Sequence, residues 1–173
     1  MRQNASVIAS LDTLEGAGGI SGVPACLFEF ADGDYAIRVA NDIASRRKAY
    51  GFVYSTYSAK GYAAPDSCDM WLSIHDALPT TVTLLVENDA AEAAGAITVF
   101  RDSPLGLPSD TLYKAENDVL RSAKRNLCEF GSLAVGDGIR NAREVLVELY
   151  SVLSILAREV LGATDIVITV NPR

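Results

Sequence analysis

With 173 residues and 49% of them hydrophobic, the chain is one domain able to bury a proper core. Its formal net charge of −7 argues against broad binding to nucleic acid or anionic lipid. No apolar run is long enough for a membrane span, and no basic segment leads into an apolar one as in a signal peptide. Cys26, Cys68 and Cys128 are an odd set without CxxC spacing, which reads as reduced thiols of a cytoplasmic protein. No His/Cys cluster calls for a metal.

Residues 1–23 are small and polar, with Gly16, Gly18, Gly19 and Gly22 close together. Ser21 breaks the dinucleotide-binding spacing, so this stretch reads as a flexible leader or loop. Two short strands, 25–30 and 35–39, flank the turn sequence Ala31-Asp32-Gly33-Asp34. Residues 41–57 predict a helix capped by Asn41 or Asp42, with Ile43, Arg47, Tyr50, Tyr54 and Tyr57 on one face. Its tyrosines are either core residues with wet hydroxyl tips or the mouth of a long apolar pocket. Residues 61–78 are irregular and contain Pro65, Asp66 and Asp69. The lone histidine, His75, reads there as a structural or solvent-exposed residue rather than a general base.

A β-branched strand at 80–87 and a second at 94–101 predict an antiparallel hairpin around Asn88-Asp89. A loop at 104–108 then leads to a polar helix at 109–124, capped by Ser109 or Asp110. Leu127 to Val135 is apolar on both faces, as expected of a central covered strand. Yet Glu129 lies near its middle, where a carboxylate costs several kcal/mol unless paired, protonated or used. By strand periodicity Glu129, Gly131, Leu133 and Val135 share a face, and Gly131 leaves room beside the acid. Gly136-Asp137-Gly138 breaks the strand into a long helix at 139–161, whose apolar stripe includes Val145, Leu149, Val152, Leu153 and Leu156. Gly162 stops that helix. Asp165 to Val170 follows as a strand parallel to the central one. Glu129 is then either a catalytic base or a structural acceptor for Arg47 or a tyrosine of the first helix. Cys128 reads as a buried structural thiol, with no histidine near it in sequence. Two basic groups, Arg46-Arg47-Lys48 and Arg121 with Lys124 and Arg125, are either solvated helix faces or a docking patch for an acidic partner or phosphate.

The order of elements resembles the GNAT acyltransferase fold. RRKAYGFVYSTYSAKGY (Arg46 to Tyr62) resembles the opening motif of the N-acyl amino acid synthases and of the related acyl-homoserine lactone synthases. Asp66-Ser-Cys-Asp69 resembles their paired aspartates, SPLGLPSDTLY and CEFGSLAV their loop and central-strand motifs, and VNPR the segment after the fifth strand. Ser132 replaces the arginine that lactone synthases carry three residues after the strand glutamate, which argues against a lactone product.

The resemblance implies a mixed, twisted central sheet flanked by helices over residues 24–173, with a further helix and strands expected beyond Arg173. It implies transfer of a fatty acyl group from a thioester donor, acyl carrier protein or acyl-coenzyme A, to the amine of an amino acid, with no bound cofactor. Glu129 would serve as base. Arg47, Tyr54, Asp66, Asp69, Ser132, Leu133, Ala134 and Val135 would bind substrate, and Gly138, Arg140 and Arg143 the donor phosphate. An acidic carrier protein would dock on Arg121, Lys124, Arg125, Arg140 and Arg143. The exposed edge at Asp165 to Val170 would suit a partner chain, as in a homo-oligomer. The rival expectation is a non-catalytic GNAT-like module that binds an acyl thioester or a protein partner.

Overall fold

The computed structural model describes residues 26–30, 34–64 and 68–170. The leader at 1–23, the aspartate Asp66 and residues 171–173 of the VNPR segment lie outside the described residues. Among the described residues, six strands form one mixed sheet in chain order: β1 (Cys26–Glu29), β2 (Tyr35–Val39), β3 (Val82–Asn88), β4 (Ala93–Arg101), β5 (Leu127–Val135) and β6 (Asp165–Ile168). β1 to β5 are joined antiparallel, and β6 pairs with β5 in parallel. The helices are α1 (Ile43–Ala59), α2 (Asp110–Ser122) and α3 (Ala142–Ile155). A 3₁₀ turn at Ile74–Ala77 precedes β3, and a π-helical segment, Leu156–Val160, extends α3.

The sheet is covered on both faces, which explains the two-sided apolarity of β5. On one face Val145, Leu149, Val152, Leu153 and Leu156 of α3 and its extension pack against Ile37, Leu84, Ile97, Val99, Cys128 and Phe130. On the other, α1 sets Ala49 and Val53 against Leu85, Ala96 and Ala134. Beside it Phe100, Leu107 and Leu127 form a smaller cluster with Leu120 of α2. The faces nevertheless differ in chemistry. Thr83 and Thr98 share a buried hydroxyl contact of 3.0 Å on the α1 side, and Glu129 and Asn117 are buried there too.

Several expectations change in detail. The contact face of α1 is Ala49, Tyr50 and Val53, whereas Ile43 is 78% exposed and Arg47 is exposed. Small residues face the sheet because the helix lies close to it. Asp42 does cap α1: its Oδ1 accepts the Ser45 N–H at 2.8 Å. Neither candidate cap of α2 acts as one. The Ser109 hydroxyl accepts from Asn117 at 3.0 Å, and Asp110 Oδ2 accepts the Leu107 N–H at 3.1 Å. α3 begins at Ala142 rather than 139, because Asn141 sits in the left-handed region at φ 67°. Gly162, at φ 67°, ends the helical run as its sequence position predicts.

β5 also departs from simple alternation. Ser132 takes a positive φ of 51°, and the pairing with β4 shifts between Ala96 and Thr98. This is a β-bulge, and it turns the following residues over. Ala134 therefore joins the α1 side while Leu133 and Val135 pack on the α3 side. Leu133 and Val135 thus do not share the face of Glu129. Gly131 does not leave free room either: a Cβ there would lie 3.1 Å from the Phe100 ring, which fills the space.

Arg121 is the main cross-link of α2. Its guanidinium bonds both oxygens of Asp102, at 2.7 and 2.8 Å, and reaches Asp110 at 2.8 Å and Asp118 at 2.8 Å. Replacing it (Arg121→Met) leaves half-buried carboxylates unpaired and should cost about 2 kcal/mol or more in chemical denaturation. Arg125→Met, which breaks only a surface pair with Asp165, should change stability far less. Equal losses from the two would show that the Arg121 network holds nothing together.

A second prediction concerns Asp76 in the 3₁₀ turn, which is 7% exposed. Oδ2 accepts both the N–H and the hydroxyl of Ser73, at 2.7 and 2.8 Å, while Oδ1 is buried and has no partner among the described residues. Burial raises its pKa above the ordinary 3.8, so the folded chain keeps this proton after the unfolded chain has lost it. The stability contributed by the protonated form is complete below the unfolded pKa and is lost as pH rises through the folded one. Asp76→Asn keeps the size and removes the titration. Thermal melting from roughly pH 4 to 7 should lose that part of its pH dependence, and an unchanged profile would refute the assignment.

Candidate active site

The site follows from a fault in the sheet. β5 and β6 pair from Leu127 with Asp165 to Phe130 with Ile168, and no further. Among the described residues, 131–135 of β5 therefore run on with no strand paired to them on that edge. Backbone polar groups left in this way need partners. One comes from α1: the Tyr57 hydroxyl donates to the Leu133 carbonyl at 3.0 Å. Burial raises the Tyr57 pKa, which keeps the phenol protonated as a donor. Its ring packs edge-on against Trp71, with centroids 5.0 Å apart, and Tyr62, at 6.0 Å.

A cavity of about 960 Å³ opens at this parting. Leu133, Ala134, Val135 and Gly136 form its floor, and Thr169 and Val170 the side beyond β6. Tyr57, Tyr62 and Trp71 come from the α1 side, and Leu112 and Tyr113 from the start of α2. Helical geometry breaks at Tyr113, with φ −125°. The volume and largely apolar lining suit a long aliphatic or aromatic group.

Three of the residues expected to bind substrate, Leu133, Ala134 and Val135, line this cavity. Ser132 forms the bulge beside them. Arg47 and Tyr54 are not among the lining residues; Arg47 is exposed, and the Tyr54 hydroxyl lies 3.5 Å from the Ala64 carbonyl. Asp69 is exposed, with φ 50°, and its carbonyl packs towards Gly51 of α1. Gly138 and Arg140 lie in the turn before α3, where Arg140 is paired with Asp34. Arg143 is exposed on the first turn of α3. The wider basic patch is also largely spoken for. Arg121 and Arg125 are held by acids, as is Lys48 by Glu87, while among the described residues Lys124 and Arg143 have no acidic partner.

Glu129 is 4% exposed on β5, paired with Phe100 of β4 and Val167 of β6, and is not among the residues lining the cavity. Its Oε2 accepts the Ser109 N–H at 2.8 Å, so its partner is neither Arg47 nor a tyrosine. Among the described residues Oε1 has no hydrogen-bond partner, and it is not sealed from solvent. His75 packs edge-on to Phe100, centroids 6.1 Å apart, with Nε2 buried and without a partner among the described residues.

Tyr62, Trp71, Leu112 and Tyr113 were not singled out by the sequence, although a signal exists. They are large apolar residues in irregular or polar stretches, 38–75% exposed, with no periodic core to account for them.

Residues 48–173 match the family model described as N-acyl amino acid synthase FeeM. Among solved structures, FeeM, an N-acyl amino acid synthase from uncultured soil microbes, aligns with a TM-score of 0.68 at 24% identity, covering 80% of this chain and 72% of that one. An acetyltransferase of Trypanosoma brucei aligns with a TM-score of 0.50 at 12% identity, covering 80% and 84%. No curated protein matches the chain. No helix among the described residues is long and apolar enough to cross a membrane. The mixed sheet, the parted parallel strands and a family match over most of the chain agree, and this protein belongs to the FeeM N-acyl amino acid synthase family of acyltransferases, on a GNAT-like fold.

Proposed function

We propose that the chain transfers a fatty acyl group from a thioester donor to the amine of an amino acid, releasing a thiol and an N-acyl amino acid. The observation that carries this reading is the parting of β5 and β6 into a large apolar cavity. An extended thioester arm would lie along residues 131–135, whose outer edge β6 leaves uncovered, with the acyl chain among Tyr62, Trp71, Leu112 and Leu146. The acceptor enters as an ammonium and must lose a proton before its nitrogen can attack the thioester carbonyl. Glu129 is the base in this reading. Ser109 fixes Oε2 and leaves Oε1 to take the proton, through a water because Glu129 is not among the residues lining the cavity. Attack then forms a tetrahedral oxyanion, and its collapse expels the thiolate. Gly138 and the turn before α3 face the donor phosphate, and an acidic carrier protein is the donor, with Lys124 and Arg143 as the cations left for it.

Purified protein incubated with acyl-carrier and acyl-coenzyme A donors and a mixture of amino acids should yield N-acyl amino acids by mass spectrometry. Absence of any amide product from either donor class would end the proposal. Glu129→Gln still accepts the Ser109 N–H but takes no proton. It should lose roughly 10²-fold in kcat with an almost unchanged melting temperature. A variant that unfolds early yet turns over normally per folded molecule would make Glu129 an anchor and nothing more.

A further inference from the structure

Among the described residues lining the cavity, Lys60 is the one cation. It is the C-cap of α1, one turn beyond Tyr57, with its Nζ 3.9 Å from Asp137 Oδ1 on the turn that follows β5. The Lys60 side chain is 44% exposed and that of Asp137 is 91% exposed. A pair so wet and so long holds neither group in place. Three of the arginines that the sequence nominated for anions behave differently: Arg121, Arg125 and Arg140 are paired with acids. The lining around Lys60 is otherwise aromatic and aliphatic, so a ligand that fills the cavity expels water and strengthens any charge contact left inside.

Resting on the acyl-transfer reading, we propose that Lys60 is the residue that binds the anionic group of a substrate in this cavity. Two such groups are present in the reaction: the carboxylate of the acceptor amino acid and the phosphate of the donor's pantetheine arm. Either would displace the loose Asp137 contact in favour of a charge-assisted hydrogen bond.

The test compares wild type with Lys60→Met and Lys60→Arg, all checked for equal melting temperatures. Each is given an amino acid or its uncharged carboxamide as acceptor, and a phosphopantetheine thioester or a phosphate-free N-acetylcysteamine thioester as donor. Lys60→Met should raise one KM on the order of tenfold, with kcat much less affected, and Lys60→Arg should restore most of it. A rise for the amino acid but not its carboxamide identifies the carboxylate. A rise for the phosphorylated donor alone identifies the phosphate. Unchanged KM values for all four substrates would overturn the proposal. Equilibrium binding of a long-chain N-acyl amino acid, its carboxamide and phosphopantetheine is measured alongside. Wild-type protein that makes no product would sink the acyl-transfer reading, while these affinities, weakened or unchanged in Lys60→Met, would still decide the role of Lys60.

Discussion

The contact on which the site depends is the 2.8 Å hydrogen bond from the Ser109 N–H to Glu129. A carboxylate in the middle of a covered sheet costs several kcal/mol if left alone, and here its partner comes from a loop rather than from the sheet. That loop must therefore be rigid. Asp110 turns back to the Leu107 N–H, Gly106 takes φ 76° to let it pass, and Asn117 holds the Ser109 hydroxyl. Any side chain at Gly106 would run into Asp110 Oδ2, 2.1 Å from its Cβ. Arg121 then ties Asp110 to Asp102 at the end of β4, so the loop is fastened at both ends. The motif SPLGLPSDTLY is thus a preformed clip that places one backbone donor.

A second constraint keeps the parallel strands apart. An open edge in mid-sheet would close or recruit another strand unless its geometry and partners prevented this. The bulge at Ser132 takes residues 133–135 out of register, and Tyr57 occupies the Leu133 carbonyl. Ala49, Ala96 and Ala134 allow α1 to approach closely enough for the Tyr57 hydroxyl to reach the strand. The close seating of α1 therefore contributes to both the aromatic wall of the cavity and, together with the bulge, the opening of the sheet.

Much of this was legible in the sequence, and the exceptions have physical reasons. The strand–helix–strand run from Leu127, the stripe of α3 and the stop at Gly162 were visible because long periodic segments with strong punctuation carry their own signal. The face of α1 was read only in part: Tyr50 and Tyr57 do pack inward, but Ala49 and Val53 complete the contact, and small residues weigh little in a hydrophobic pattern. Strand periodicity failed after Gly131, since a bulge adds one residue and reverses every side chain beyond it. The arginines looked available because their acids, Asp102, Asp165 and Asp34, are 19, 40 and 106 residues away in the chain. Glu129 was found, but its partner could not be, for a backbone N–H leaves no mark in a sequence.

The two faces of the sheet also bear on how an acyl group would travel. Cys128 is adjacent to Glu129 in sequence but points to the opposite side, among the α3 contacts, fully buried. Burial pushes its thiol up to about 11, so at neutral pH it is neither ionised nor reachable. Within the proposed reaction, this argues against a covalent route through Cys128 and for direct attack by the acceptor nitrogen. Direct attack needs both substrates in the site together, with a base for the amine and no water competing for the thioester. The polar side of the sheet supplies a carboxylate held at one oxygen, and the aromatic wall beyond it supplies a cavity that an acyl chain would fill and dry. The α3 face contributes apolar surface rather than polar groups: Leu133, Val135 and Leu146 line the same cavity.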